Sequence, residues 1–226
     1  PYLYQHQIHD VDTLIISHGD NDHIGGANSL IQGIPVKQLL SSVPEKLTSE
    51  ARPCQDGQAW NWDGVDFQIL HPITNWPYEG NNRSCVLKVS NDFHSVLLTG
   101  DIESISEFRL RQDQADALDS DILLVPHHGS LTSSTQAFIT AVAPDLAVVS
   151  SGYLNRFGFP KAQVLERYAS EGIPVMNTAD YGAIHMVFGA DDQPPRIKPY
   201  LEQYQRYWYS GLEHRPERCV TGCRSE

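Results

Sequence analysis

The chain has 226 residues, of which 40% are hydrophobic and 19% charged, and it carries a formal charge of −12. This length can bury a sizeable core, and the composition excludes wholesale disorder. The charge argues against a basic groove that grips nucleic acid by phosphate neutralisation, but not against a phosphate substrate, because carboxylate-bound cations reverse the local potential.

In chain order, Thr13 to Ser17 reads as a buried strand that ends in a polar loop. A helix is expected over Ile24 to Gln32, then strands over Val36 to Leu40 and Val65 to Leu70, the latter stopped by His71-Pro72. Asn75 to Asn82 is a loop rich in Asn, Gly and Pro. Cys85 to Val89 and Ser95 to Thr99 read as a hairpin around Asn91-Asp92. Ser104 to Ala117 is helical in character, and Asp121 to Val125 is a buried strand closed by Pro126. A helix follows over Ser133 to Ala143, with Ser133 or Ser134 as its cap, then a strand over Leu146 to Ser150. The helix expected over Pro160 to Glu171 has Pro160 in its first turn and Gly172 past its end. Short strands are expected over Val175 to Asn177 and Ala183 to Val187.

From Ala190 the composition shifts. Asp191, Asp192, Pro194, Pro195 and Pro199 suggest a linker, which divides the chain into a domain over 1–189 and a linker and tail over 190–226. Tyr200 to Tyr209 reads as a terminal helix docking on the core, or as a partner-binding tail. The four cysteines, Cys54, Cys85, Cys219 and Cys223, are too few and too scattered for a disulfide scaffold. Cys219 and Cys223 are either two thiols in a tail or a local disulfide, which would imply an oxidising compartment. No signal peptide and no apolar run of about 18 residues is present. The chain opens at Pro1 and reads as a fragment, so a missing targeting segment carries no information.

The strongest chemical signal is His18-Gly-Asp20-Asn-Asp22-His23-Ile-Gly-Gly, at the carboxyl end of a strand, where α/β proteins commonly place ligand sites. Two imidazoles and two carboxylates within six residues suit zinc, manganese or iron. Three further polar clusters also border strands: Asn81-Asn82-Arg83-Ser84, Gly100-Asp101, and Pro126-His127-His128-Gly129-Ser130. Singly, each is adequately explained as a turn or a surface loop. Together they point to one site assembled from several strand ends.

These motifs resemble the H-x-H-x-D-H signature of the metallo-β-lactamase superfamily, with Asp20 where the second His usually stands. The order H-x-D-x-D-H-x-G-G, N-N-x-S, L-L-T-G-D and V-P-H-H-G-S is similar to the soluble domain of the ComEC family of competence proteins, bacterial DNA-uptake channels. The resemblance runs from about Leu14 to about Ile184. It implies an α/β fold, an αββα sandwich, whose first strands precede the residues present here.

It also implies a divalent metal, one or two ions of manganese or zinc. His18 and Asp20 would serve one ion, Asp22 and His23 the other, with Asp101 bridging and His128 as the late His ligand. Asp22, Asp101 and His127 become the catalytic candidates, and Asn82, Ser84 and Ser130 the substrate-binding ones. The family's middle His is absent, with Asn82 or Ser84 in that region. The stretch Asn155-Arg156-Phe157-Gly158-Phe159-Pro160 resembles a family stretch N-R-Y-G-H-P, with Phe159 in place of the His.

The chemistry implied is phosphodiester hydrolysis by a metal-activated water. Asp101 would orient it and Asp22 would accept a proton. The implied role is nuclease action on the DNA strand that is not imported, with single-stranded DNA, a membrane channel domain of the same parent and other competence proteins as partners. The parent would lie in the bacterial inner membrane, with this domain on its outer, periplasmic side. Two rival readings stand beside it. One is another metallo-hydrolase, such as a phosphorylcholine esterase or a lactonase. The other is a catalytically weak or inactive metal-binding module that gates DNA.

Overall fold

The computed structural model describes residues 2–204. In chain order its elements are α1 (Tyr2–Gln5), β1 (Val11–Ile16), α2 (Asn21–Ile24), α3 (Ala27–Gly33), β2 (Val36–Ser41), β3 (Arg52–Pro53), β4 (Ala59–Trp62), β5 (Val65–His71), β6 (Val86–Ser90), β7 (Ser95–Leu98), α4 (Ser104–Asp113), α5 (Ala115–Leu118), β8 (Ile122–Leu124), α6 (Gln136–Val142), β9 (Leu146–Val149), α7 (Ala162–Ser170), β10 (Val175–Asn177), α8 (Thr178–Tyr181), β11 (Ile184–Val187), β12 (Arg196–Pro199) and α9 (Tyr200–Gln203). The described strands form three sheets, ordered β1-β2-β3, β10-β9-β8-β7-β6-β5-β4 and β11-β12.

Strand alternation sorts the large sheet's side chains onto two faces. Leu97 pairs with Leu123, and Leu123 with Ala147, in parallel register. These residues pack with Leu110, Leu118, Phe138, Ile139, Val142, Val164 and Tyr168 from α4 to α7. On the opposite face, Ile69, Cys85 and Leu87 pack with Leu40 and Cys54 beneath the first small sheet. Ile122, Leu146 and Met176 pack with Ile184, Met186 and Ile197 of the second. Ile24, Ala27 and Ile31 from α2 and α3 cover the outer side of the first small sheet, against Ile16 and Leu39. The result is the helix–sheet–sheet–helix order expected from the sequence. Each large apolar side chain fully buried between layers stabilises the fold by about 1.5–3 kcal/mol.

Several local expectations need correction. The helix expected over Ile24 to Gln32 is two helices, broken at Gly25-Gly26, and the first turn starts earlier. His23 and Ile24 donate their N–H groups to the Asp20 carbonyl at 2.9 and 2.8 Å, so Asp22 and His23 lie on a helical turn rather than in the loop. The cap of α6 is Thr135, whose side chain accepts from the Phe138 N–H, while Ser133 and Ser134 are buried. Helix α7 begins at Ala162 behind Lys161, so Pro160 lies outside it. Strand β4 was not anticipated, although Asp63-Gly64 is a strong hairpin turn signal and both residues adopt positive φ. Part of the segment read as a linker is β12, paired antiparallel with β11. Residues 205–226, with Cys219 and Cys223, lie outside the described residues.

The cysteines are also corrected in part. Cys54 and Cys85 form a disulfide across a sequence separation of 31. Cys54 donates its N–H to the Ser41 carbonyl at the end of β2, and Cys85 donates to Ser17 beyond β1. The bond therefore joins the small parallel sheet to the large sheet.

His71, at the end of β5, is fully buried. Its Nδ1 lies 2.9 Å from the Ser84 carbonyl, which can only accept, so Nδ1 carries the proton and Nε2 has no partner. Burial lowers its pKa from 6.5 to about 4, against the opposing pull of the Ser84 hydrogen bond. A lowered folded-state value means that protonation favours unfolding. The stability is fully present above the unfolded value and falls as pH drops from about 6.5 toward 4, by about 3 kcal/mol. Urea unfolding between pH 7 and pH 4 is expected to show this loss in the parent. His71→Asn keeps a donor for Ser84 and cannot titrate, so that share of the loss should vanish. Parallel pH profiles for the two proteins would rule the assignment out.

Candidate metal centre

The polar clusters read from the sequence converge because the strands that carry them end at one edge. Ser17 and His18 follow β1, and α2 carries Asp22 and His23. Gly100-Asp101 follows β7, and the His127-His128 turn follows its parallel neighbour β8. The two sheets meet here through the Cys85 N–H, which donates to the Ser17 carbonyl at 2.9 Å. Gly100 has φ +54°, and a Cβ there would lie 2.9 Å from Ser84 Cβ and 3.1 Å from Ser17 Cβ. Only glycine permits both the backbone angle and the approach.

Asp22, His23, Asp101 and His128 each offer one ligand atom, and these atoms all lie within 4.8 Å of one another. Asp101 is central. Its Oδ1 lies 3.2 Å from His23 Nε2, and its Oδ2 lies 3.4 Å from His128 Nε2 and 3.7 Å from His18 Nε2. Asp22 Oδ2 is 3.3 Å from His128 Nε2, and Asp20 Oδ2 is 3.8 Å from His18 Nε2. Four of the six residues expected as ligands, Asp22, His23, Asp101 and His128, form this compact group; His18 borders it beside Asp101, and Asp20 stands next to His18.

Hydrogen bonds behind the rings aim them. His128 Nδ1 donates to the Ser150 carbonyl at 2.7 Å, which turns Nε2 toward the cluster. Ser17 Oγ lies 3.2 Å from His18 Nδ1 and 3.1 Å from His23 Nδ1. A hydroxyl oxygen has two lone pairs, so it can accept from both rings and free both Nε2 atoms for a cation. Ser84 Oγ accepts the Asp101 N–H at 3.1 Å.

The electrostatics fit a cation site. Burial would raise the Asp101 pKa, but hydrogen bonds and charge from His128 and His23 hold it well below the usual carboxylate range. His128 is raised to about 9, first by its hydrogen bond with Asp101 and against burial. His18 is lowered, chiefly by burial and then by His23. Its buried Nε2 has no hydrogen-bond partner, as a neutral ligand awaiting a cation would be. A mixed imidazole and carboxylate set suits zinc, manganese or iron.

The remaining candidates surround this cluster. His127 lies outside it, with Nδ1 3.2 Å from Thr132 Oγ1 and 3.5 Å from Glu103 Oε1. Both His127 and His128 have positive φ, 49° and 54°, an uncommon pair for non-glycine residues. Asn82 is engaged with α4: its Oδ1 accepts the Glu103 N–H and its Nδ2 donates to Glu103 Oε2 at 2.8 Å. Ser84 is fully buried behind Asp101. Ser130 Oγ sits 3.1 Å from Thr132 Oγ1. The sequence reading missed Ser17, Glu103, Thr132 and Ser150 as supports, and only Ser17, next to the motif, carried a local signal.

Residues 6–153 match the Metallo-beta-lactamase superfamily. The chain is 36% identical over 208 residues to competence protein ComA of Neisseria gonorrhoeae, covering 92% of this chain and 29% of that protein. It is 38% identical over 193 residues to recombination protein 2 of Haemophilus influenzae, covering 84% and 24%. The chain thus spans less than a third of the length of these relatives. A crystal structure from Parabacteroides distasonis, assigned there as a metal-dependent hydrolase, superposes with a TM-score of 0.52 at 17% identity. It covers 75% of this chain and 77% of that one, a likeness of fold.

Proposed function

The chain belongs to the metallo-beta-lactamase superfamily, and from that premise we propose that it is a metal-dependent phosphodiesterase acting on DNA, within a membrane-bound DNA-uptake protein. The observation that carries this reading is the buried Asp101 carboxylate, whose two oxygens face imidazoles from both sheets. His18, Asp20, Asp22, His23, Asp101 and His128 would hold one or two divalent ions, manganese or zinc. A divalent ion bound there would lower the pKa of a water and offset charge on a phosphoryl oxygen.

The chain's own residues do the rest. Asp22, whose side chain is 62% exposed, accepts the proton of the attacking water. His127, held at Nδ1 by Thr132 and Glu103 and at Nε2 by the Asn81 amide, lines the approach of the phosphoryl group to the cluster. Ser130 supports it from the same turn, and Asn82 and Ser84 act on substrate through the loop and carboxylate they hold. Likeness to a competence protein supports DNA as substrate, a channel domain of the same parent as partner, and degradation of the strand that is not imported. The Cys54–Cys85 disulfide supports an extracytoplasmic position, since such bonds persist in oxidising compartments.

One observation favours a non-cutting module that gates DNA. Phe159 stacks on His128 at 6.5 Å between ring centroids, where the family stretch has a His. The test is cleavage of single-stranded DNA with added manganese, alongside a lactone as comparison substrate. Cleavage that chelator abolishes, with the lactone left intact, is the expected result. A folded, metal-loaded protein that leaves DNA uncut would hand the case to the gating module; lactone turnover would hand it to another hydrolase.

A further inference from the structure

Beside the metal cluster the loop from Asn155 to Pro160 carries a row of rings. Phe157 and Phe159 stack with centroids 5.6 Å apart and planes 18° from parallel. Phe159 continues the row onto His128 at an interplanar angle of 21°, and its edge meets His127. Two cations flank it in a chain whose net charge is −12. The Arg156 guanidinium lies 4.7 Å from the Phe157 ring centroid, and Lys161 Nζ lies 5.3 Å from that of Phe159.

The row is held in place. Asn155 accepts the Phe159 N–H at 2.9 Å and donates to the Phe159 carbonyl at 2.7 Å. Lys161 Nζ donates to the Phe157 carbonyl at 2.6 Å. The Lys161 N–H donates to the Gly129 carbonyl, so the loop is tied to the turn that bears His128. Phe157 is nonetheless 55% exposed. An aromatic side chain this open, fixed at the mouth of a cation site and bordered by positive charge, has few uses in folding.

We propose that Phe157 and Phe159 form a stacking platform for an unpaired nucleobase of a single-stranded DNA substrate, next to the phosphate held at the metal cluster. The proposal rests on the phosphodiesterase reading. A π-face plus a cation is the recognition chemistry of single-stranded nucleic acid, tolerant of sequence because every base has a π-face. In a duplex those faces are covered by stacking, so the platform selects unpaired strands. Arg156, on a long flexible stem, yields the ring to the base and pairs with its phosphate. This locates strand selectivity in a few residues even though the domain is acidic.

The experiment compares kcat/KM of the full chain, with manganese, on a short thymidine oligonucleotide and on an abasic chain with the same number of phosphates. The parent is expected to favour the base-bearing chain by roughly 5- to 100-fold, the range of one or more stacked bases. In Phe157→Ala that preference should fall below about twofold, mainly through KM. Phe157→Leu, apolar without a π-face, should behave like the alanine variant, and Phe157→Trp should keep the preference. Circular dichroism confirms that each variant is folded. Equal cleavage of both chains by the parent, or a preference that survives Phe157→Ala, overturns the platform while leaving the phosphodiesterase reading in place. Failure to cleave either chain overturns both.

Discussion

Asp101→Ala is expected to lower manganese-dependent phosphodiester cleavage by roughly 10³-fold or more, with His128→Ala close behind. The carboxylate is the shared partner of three imidazoles, so its loss removes a donor from both halves of the site at once. Removing a single preorganised electrostatic contact in an active site costs about 10²–10³-fold, and here the metal itself is put at risk. A thermal melt separates that cause from misfolding. Metal should stabilise the parent by about 2.7 kcal/mol at a hundredfold excess over its dissociation constant and should barely move either variant. His128 must shed a proton to bind metal, so metal affinity in the parent should rise with pH. An Asp101→Ala protein that keeps activity within tenfold of the parent would sink the bridging assignment.

Opening the Cys54–Cys85 bond is expected to produce a large loss of stability. Closing a loop with a sequence separation of 31 restricts the unfolded chain by about 3–4 kcal/mol in the chain-entropy account. Each kcal/mol corresponds to roughly 2–4 °C in a domain of this size, so Cys54→Ala should melt about 6–16 °C lower. Cys85 follows Ser84, which holds the Asp101 N–H, and Cys85 itself bonds to Ser17. Loosening it should therefore also reduce activity at temperatures well below the melt. Denaturant curves with and without reductant provide the measurement. An unchanged midpoint, with two additional free thiols titrated, would show that the bond contributes nothing to stability.

The strands and the polar clusters at their ends were legible because their signals are short-range, while the layered sandwich followed from the family resemblance. Thr13 to Ser17 and Leu146 to Ser150 are apolar runs of strand length, and the structure places β1 and β9 there. His18, Asp22, His23, Asp101 and His128 each follow such a run, so their convergence required only that the strands lie in register. What escaped was set by pairings between distant segments. No local pattern joins Cys54 to Cys85. Nothing in Pro160 tells that Gly129 packs against it, so closely that a Cβ on Gly129 would fall 2.6 Å from Pro160 Cβ, and so that the helix waits until Ala162. Asn82 and Ser84 were expected as substrate contacts because the resemblance puts them where the family has its middle His. Their bonds to Glu103 and Asp101 depend on the approach of β7 to β6, which only the folded chain reveals.

The proposed metal ligands come from both leaves of the sandwich. His18, Asp22 and His23 extend from the three-stranded sheet, whereas Asp101 and His128 extend from the seven-stranded one. A cation bound among them is a rivet through two plates as well as a catalyst. Whatever pries the plates apart must weaken its hold on the ion, and whatever loads the ion must press the plates together, by the same free energy. Metal supply and mechanical integrity then become one signal.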